Sequence, residues 1–242
     1  MIIANEKLPL ILATHIRAED SGEIPLILQR KNIPYITLRL NKGEELPADI
    51  SQYRGVIIFG GLQSANDDHI NYIRKELYWL EKVIEMNFPV FGICLGAQLV
   101  ARTLGARVMP HPSGFYEFGW YALEPFGHNH LDICESSFFY QRHGEVFDLP
   151  KDAKLSITGY NFENQGFTFK NNVIATQFHP EINSNLLEHW LKRARSLPDE
   201  TLYGAQAIEM QIEDSILYIP KALSWLDKAL DKWLLTSEDN FS

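Results

Sequence analysis

The sequence predicts an α/β protein with a mostly parallel central sheet, helices on both faces of that sheet and further helices at the C-terminal end. The first half of the 242 residues alternates short β-branched and aliphatic runs with helical patterns, which is typical of strand–helix–strand units. Hydrophobic residues make up 45% of the chain and charged residues 22%, as in an ordinary folded domain. The last 20 or so residues repeat leucine at helical spacing.

Four buried strands are predicted in the first half, at Leu8 to Ala13, Tyr35 to Leu40, Val56 to Phe59 and Pro89 to Ile93. The clearest helix lies between the last two strands, where apolar residues recur at spacings of three and four. Asp67 and Asp68 are predicted to cap its start. The pattern assigns the apolar face to Ile70, Ile73, Leu77, Leu80 and Ile84, and other faces to Lys75, Glu76, Glu81, Lys82 and Glu85.

The second half has a different pattern. Between about Val108 and Ala175 the apolar runs are short and are broken by Gly, Asn and Pro, which indicates antiparallel or mixed pairing. A helix is predicted around Leu186 to Leu191. Beyond Leu197 about two helical stretches are predicted, the last of which begins at Pro220.

Charge and cysteine content exclude several classes of protein. The 22 Lys and Arg residues against 31 Asp and Glu residues give a net charge of −9, so neither nucleic acid nor an anionic membrane is an expected partner. No apolar run approaches the roughly 20 residues of a transmembrane helix, and the first residues lack the pattern of a signal peptide. A cytoplasmic location is therefore expected. Two cysteines provide neither a disulfide framework nor a structural zinc site.

The most informative segment surrounds Cys94. A buried strand leads into Gly92-Ile93-Cys94-Leu95-Gly96, after which helical spacing begins. This is the glycine-flanked turn between strand and helix that exposes a nucleophile in hydrolases. The glycines are expected to allow close approach of neighbouring backbone, and the helix N-terminus favours the thiolate. Cys134 has no such context, so we interpret it as an ordinary small buried thiol.

Two further segments complete a hydrolytic pattern. His179 ends a predicted strand, and Glu181 follows across a proline, where its carboxylate can orient the imidazole. Gly60 and Gly61 follow the predicted strand Val56 to Phe59, and the next predicted strand leads to Cys94. Backbone N–H groups of this glycine loop, together with the N–H of Leu95, can form an oxyanion hole.

In these segments the sequence resembles the class I glutamine amidotransferase family of the Cys-His-Glu triad type. The resemblance extends from about Leu8 to Arg193, which predicts one domain over residues 1–195 and a C-terminal helical extension, 196–242, packed on it. It implies a three-layer, flavodoxin-like fold. The segments that match in the family's order are Gly60-Gly61, Gly92-Ile-Cys94-Leu-Gly-Ala-Gln98 and Gln177-Phe-His179-Pro-Glu181.

The resemblance implies a reaction. Cys94 would attack the side-chain amide of glutamine, His179 would protonate the departing ammonia, and Glu181 would orient His179. Gly61 and Leu95 would hold the oxyanion, and no metal or cofactor is implied. The residues expected to meet the small-molecule substrate, glutamine or another γ-glutamyl compound, are Gly60, Gln98, His143 and Glu145.

Two departures from the family pattern concern the substrate. Leu62 follows the glycine pair where many members have proline, and Glu145 stands where they often have aspartate. No phosphate-binding loop of a synthetase is present in the sequence. Three functions therefore remain open: a glutaminase that supplies ammonia to a synthetase partner chain, a standalone γ-glutamyl peptide hydrolase, and a catalytically silent binding or regulatory module.

Overall fold

The computed structural model describes residues 8–194 and 202–238. The strands are β1 (Leu10–Thr14), β2 (Tyr35–Arg39), β3 (Gly55–Ile58), β4 (Val90–Ile93), β5 (Val108–Pro110), β6 (Glu117–Pro125), β7 (Ser137–His143), β8 (Glu145–Phe147), β9 (Lys154–Gly159), β10 (Gly166–Phe169) and β11 (Val173–Thr176). The helices are α1 (Ile24–Arg30), α2 (Asn71–Glu85), α3 (Leu95–Thr103), α4 (Ser184–Ala194) and α5 (Ile208–Glu238). The four predicted strands are confirmed, with ends that differ from the prediction by no more than two residues. The predicted burial is wrong for β2, whose residues are only half-buried or exposed because it is the first strand of the sheet and has a neighbour on one side.

The central sheet has the order β2-β1-β3-β4-β11-β10-β9-β6-β7 within the described part of the chain. The first five strands in this order, from β2 to β11, run parallel to one another. Strands β10, β9, β6 and β7 extend the sheet by antiparallel pairing. Strands β5 and β8 form a separate antiparallel pair. The expected change from parallel to mixed pairing is therefore confirmed.

Alternate residues of the parallel strands face two different helical layers, as the two-residue period of a strand requires. Ile11 and Ala13 pack in the core shared with α2 and α3. Leu10 and Leu12 pack in the core shared with α1 and the C-terminal half of α5, where Trp233 is 1% exposed. The predicted three-layer arrangement, with helices on both faces of the sheet, is confirmed.

The prediction that Asp67 and Asp68 cap the start of α2 is wrong. The residue at the N-cap position is Ile70, and it makes no side-chain capping bond. Asp67 instead accepts a hydrogen bond from the backbone N–H of Ser64 at 2.9 Å, and Asp68 pairs with Arg102 of α3 at 2.7 Å. Both aspartates therefore have other partners, in the segment that precedes α2.

The predicted helix start at Pro220 is also wrong, because α5 begins at Ile208 and continues through Pro220. Proline removes one N–H, which leaves the carbonyl of the residue four positions earlier without its usual helical donor. That residue, Ile216, is 80% exposed, so water can reach its surroundings. The boundary predicted at 195/196 lies outside the described residues and stays a prediction. Among the residues described, no helix has both the length and the apolar character needed to span a bilayer.

Candidate active site

Cys94 occupies a strained turn between β4 and α3. Its φ of 52° and ψ of −105° lie in a region that residues with a side chain rarely adopt, at a cost of about 1–3 kcal/mol. The backbone N–H of Cys94 donates to the carbonyl of Thr176 at 2.8 Å, which ties the turn to the end of β11. The Cys94 residue is 6% exposed.

The two flanking glycines are required by close backbone contacts. A Cβ at Gly92 would lie 2.6 Å from the carbonyl oxygen of Gly96. A Cβ at Gly96 would collide with the carbonyl of Ile58 on β3. The steric reason predicted for this glycine pair is therefore confirmed by the geometry.

His179 and Glu181 form a buried hydrogen-bonded pair. Nδ1 of His179 lies 2.8 Å from Oε1 of Glu181, and the two side chains are 4% and 1% exposed. The backbone N–H of His179 donates to the carbonyl of Tyr140 at 2.8 Å. The ring of Trp190 meets the imidazole edge to face, with 4.7 Å between ring centroids. These contacts hold the imidazole in one orientation.

The charged form of His179 is stabilised by its neighbours. Burial opposes the positive charge, but the carboxylate of Glu181 and the hydrogen-bonded thiol group of Cys94 together raise the pKa of His179 to about 10. An imidazolium beside Cys94 and Glu181 is therefore the form expected at neutral pH.

The glycine loop after β3 lies directly against this pair. A Cβ at Gly60 would lie 2.9 Å from Cε1 of His179 and 3.5 Å from Cβ of Cys94. Gly61 packs on the side chain of Leu95, the first residue of α3. Because the first N–H groups of a helix have no acceptor within the helix, the N–H of Leu95 is free of intrahelical bonding.

One cavity of about 390 Å³ brings together every residue that the sequence predicted for the site. This volume lies within the usual range of small-molecule sites. The predicted residues that line it are Gly60, Gly61, Cys94, Leu95, Gln98, His143, Glu145, His179 and Glu181.

The predicted substrate residues Gln98 and Glu145 are fixed by neighbouring side chains. Nε2 of Gln98 donates to Oε1 of Gln177 at 3.2 Å, and Gln98 is 3% exposed. The hydroxyl of Ser64 donates to Oε1 of Glu145 at 2.8 Å. Burial raises the pKa of Glu145, against the opposing effect of the Ser64 hydrogen bond. Sequence reasoning missed Ser64, although it lies three residues beyond Gly61.

His143 has protein partners at both ring nitrogens. Nδ1 lies 3.1 Å from the carbonyl of Glu145, and Nε2 lies 3.1 Å from Oε1 of Gln141. Oε2 of Glu117 is 3.4 Å from the same Nε2. His143 is therefore held in the wall of the cavity by its own neighbours, and it fixes the backbone that carries Glu145.

Sequence reasoning also missed a set of basic side chains on the cavity wall, here called the arginine rim: Arg17, Arg142 and Arg193. Arg17 pairs with Asp20 at 3.1 Å. A signal for part of this rim was present in the sequence. His189 and Arg193 are four residues apart on α4 and both line the cavity, as a shared helix face requires.

Cys134 is exposed, so its interpretation as a small buried thiol is wrong; it lies in the loop between β6 and β7. Within residues 8–194 and 202–238, no group of three or more His, Cys, Asp and Glu side chains is arranged to hold a metal ion.

Comparison with known proteins identifies the family. Residues 28–194 match the family model described as glutamine amidotransferase class-I. The chain belongs to this family, as the glycine-flanked turn at Cys94, the fold and the resemblance of the motifs led us to expect.

Two relatives and one solved structure illustrate the range of similar proteins. The Saccharomyces cerevisiae protein named "Putative glutamine amidotransferase YLR126C" is 31% identical over 173 residues, which cover 66% of each chain. Gamma-glutamyl peptidase 4 of Arabidopsis thaliana is 31% identical over 146 residues, covering 57% of this chain and 58% of that protein. A glutamine amidotransferase of Thermotoga maritima has a similar crystal structure, with a TM-score of 0.86, 26% identity, and coverage of 94% of this chain and 98% of that one.

Proposed function

We propose that this protein hydrolyses the side-chain amide of glutamine through a thioester on Cys94 and releases ammonia. One observation carries the proposal. The thiol at the start of α3 is hydrogen-bonded to His179, which is in turn bonded to Glu181, and all three line a single cavity. This chain of hydrogen bonds, from a thiol to an imidazole and from the imidazole to a carboxylate, is suited to nucleophilic acyl transfer.

The first half of the proposed reaction forms the thioester. The thiolate sulfur of Cys94 attacks the amide carbon of glutamine, and the carbonyl electrons move onto oxygen. As the tetrahedral intermediate collapses, the C–N bond breaks and the Nε2 proton of His179 goes to the departing nitrogen, which leaves as ammonia. Glu181 keeps the imidazole oriented and compensates its positive charge before this transfer.

The second half of the reaction regenerates the thiolate of Cys94. The neutral His179 removes a proton from water, whose oxygen attacks the thioester carbon. The C–S bond then breaks, glutamate leaves, and Cys94 is restored beside a protonated His179. In both halves the negative oxygen is stabilised by the backbone N–H groups of Gly61 and Leu95.

The other end of glutamine carries an ammonium and a carboxylate, which need partners of opposite charge. Glu145 is a half-buried carboxylate on the cavity wall, with one oxygen already bonded to Ser64. We assign it to the substrate ammonium, since charge-assisted hydrogen bonds of this kind are short and strong. Gln98 and the Gly60 backbone line the same space and complete the proposed substrate contacts.

A second candidate function is hydrolysis of γ-glutamyl peptides, which uses the same thioester with an amino acid in place of ammonia as the leaving group. The arginine rim favours this candidate, because the leaving amino acid has a carboxylate that guanidinium groups bind well. The similarity to gamma-glutamyl peptidase 4 agrees with it. We still place glutamine first, because Gln98 and the whole segment around Cys94 match the family's glutamine-hydrolysing pattern.

The deciding experiment measures kcat/KM for glutamine and for a series of γ-glutamyl dipeptides on the isolated chain, with Cys94→Ala as the control. We expect glutamine to be preferred. A preference for dipeptides of more than tenfold, about 1.4 kcal/mol in transition-state binding, would move the function to peptide hydrolysis. No turnover of either substrate, together with no labelling of Cys94 by a glutamine-like diazo ketone, would favour a silent binding module.

The ammonia acceptor is a separate question. If the protein supplies a synthetase partner, the glutaminase rate should be low in isolation and should rise when the partner binds and orders the glycine loop. A full rate in the isolated chain would instead indicate a standalone hydrolase.

A further inference from the structure

A second buried acid–imidazole pair lies behind the glycine loop and has no part in the reaction described above. His15 directly follows β1, and Nε2 of its ring lies 2.8 Å from Oε2 of Glu76 on α2. Both side chains have no exposed surface. The predicted position of Glu76 outside the apolar face of α2 is wrong, because Glu76 lies on the buried face between Ile73 and Leu80. A buried charged pair costs desolvation energy, so its contacts call for a physical explanation.

The other nitrogen of His15 contacts the glycine loop. Nδ1 lies 3.3 Å from the carbonyl oxygen of Gly60. A carbonyl only accepts hydrogen bonds, and the carboxylate of Glu76 does likewise, so both ring nitrogens are donors and His15 is an imidazolium. Burial opposes this charge, but Glu76 and the nearby backbone carbonyls of Gly60 and Phe59 raise the pKa of His15.

This contact fixes the orientation of the peptide unit between Gly60 and Gly61. In a trans peptide the C=O and the following N–H point in opposite directions. His15 lies directly beneath the loop, since a Cβ at Gly61 would be 3.0 Å from Cβ of His15. When the Gly60 carbonyl is bound on the His15 side, the Gly61 N–H is directed to the opposite side, away from His15. Gly60 and Gly61 both line the cavity that contains Cys94.

The loop needs such a restraint. Two consecutive glycines have more conformational freedom than any other pair of residues, and Leu62 follows them without the φ restraint of a proline. Rotation of the peptide unit would turn the Gly61 N–H away from the cavity and bring a carbonyl towards the oxyanion.

We propose that His15, paired with Glu76, is a positioning residue that holds the Gly60 carbonyl and thereby keeps the Gly61 N–H directed at the oxyanion of the reaction. The inference rests on the proposed function, since it assigns a role within the same oxyanion hole. It adds a contact from β1 and α2 to the catalytic segments that follow β3, β4 and β11.

The test compares His15→Asn with His15→Gln. The side-chain amide nitrogen of asparagine takes the position of Nδ1 and can still donate to Gly60, whereas that of glutamine takes the position of Nε2 and reaches Glu76 instead. We expect His15→Gln to lower kcat by about 10- to 100-fold, which is less than the roughly 10²–10³-fold cost of losing an oxyanion donor outright. We expect His15→Asn to retain a clearly higher kcat, and KM to change little in both.

Alkylation of Cys94 by iodoacetamide provides a readout that needs no oxyanion hole, because the thiolate displaces iodide at a saturated carbon. We expect its rate to be similar in the wild-type protein and in both variants. Equal kcat values in His15→Asn and His15→Gln would overturn the proposal, and so would a parallel loss of alkylation and hydrolysis. Failure of the wild-type protein to hydrolyse any γ-glutamyl compound would instead refute the proposed function and this inference together.

If the His15 variants unfold, as judged by thermal melting, Glu76→Gln provides a second route. It keeps the size of the side chain and removes the charge that stabilises the imidazolium. We expect a folded Glu76→Gln protein to show a lower kcat with an unchanged rate of Cys94 alkylation. An unchanged kcat in this folded variant would refute the role of the pair.

Discussion

Replacement of Glu181 by glutamine tests the proposed role of the buried His179–Glu181 pair. The substitution keeps an oxygen that can accept the proton of His179 Nδ1 and removes only the negative charge 2.8 Å away. That charge is one cause of the raised pKa of His179. Since a raised pKa keeps the imidazolium at neutral pH and loses it as the pH rises through about 10, the substitution should bring this loss to lower pH.

The magnitude follows from the strength of the contact. A hydrogen bond to a charged group contributes about 1.5–3 kcal/mol, and one pKa unit corresponds to about 1.36 kcal/mol. The alkaline limb of the pH profile of kcat/KM should therefore move roughly 1–2 pH units lower in Glu181→Gln. The rate at neutral pH should fall less than in His179→Ala, which removes an acid–base group worth about 10²–10⁴-fold.

The assay is ammonia release from glutamine at a series of pH values, in the wild-type protein and the variants. Glu188→Gln is the matched control, because Glu188 is an exposed carboxylate on α4 that pairs with Lys192, and its removal should leave the profile unchanged. Superimposable alkaline limbs for Glu181→Gln and the wild-type protein would refute the electrostatic role of Glu181. Unchanged turnover in His179→Ala would refute the acid–base role of the imidazole.

Three further predictions concern the thiol, the turn and metal independence. Cys94→Ala should abolish both hydrolysis and diazo ketone labelling, while Cys134→Ala should keep both; equal labelling of the two thiols would contradict this. Gly96→Ala should lower the stability by about 1–3 kcal/mol through overpacking against Ile58, measured by denaturant unfolding, and an unchanged midpoint would contradict it. EDTA should leave hydrolysis unchanged, since no metal takes part in the proposed steps, and a loss of rate would count against them.

Most of the parallel sheet could be predicted from the sequence because each strand is a short apolar run of its own. The neighbours of each strand could not be predicted in this way. Strands β4 and β11 pair directly, Thr176 opposite Ile93, although about 80 residues separate them along the chain. This pairing depends on how the antiparallel strands between them fold back, which no local pattern records.

The errors have a common physical origin, since local signals were outweighed by tertiary contacts. Glutamate is a residue type typical of solvent-exposed helix positions. The spacing of Glu76 from Ile73 nevertheless places it on the buried face of α2, where His15 is its partner. Pro220 is a local helix breaker. Burial of Leu226 and Leu230 on one face of α5 nevertheless keeps the helix continuous through it.

The order of strands in the sheet accounts for the composition of the site. Strands β1, β3, β4 and β11 are consecutive neighbours, and their registers align Ala13 with Ile58 and Ile58 with Gly92. Because parallel strands end at the same edge, the segments that follow them carry His15, the glycine loop, Cys94 and His179 to adjacent positions. A contact between one segment and the next therefore follows from the pairing of adjacent strands. His15 therefore belongs to the site for the same topological reason as Cys94. A substitution that weakens the pairing of β1 with β3 should displace His15 from the glycine loop and thereby lower the rate of hydrolysis.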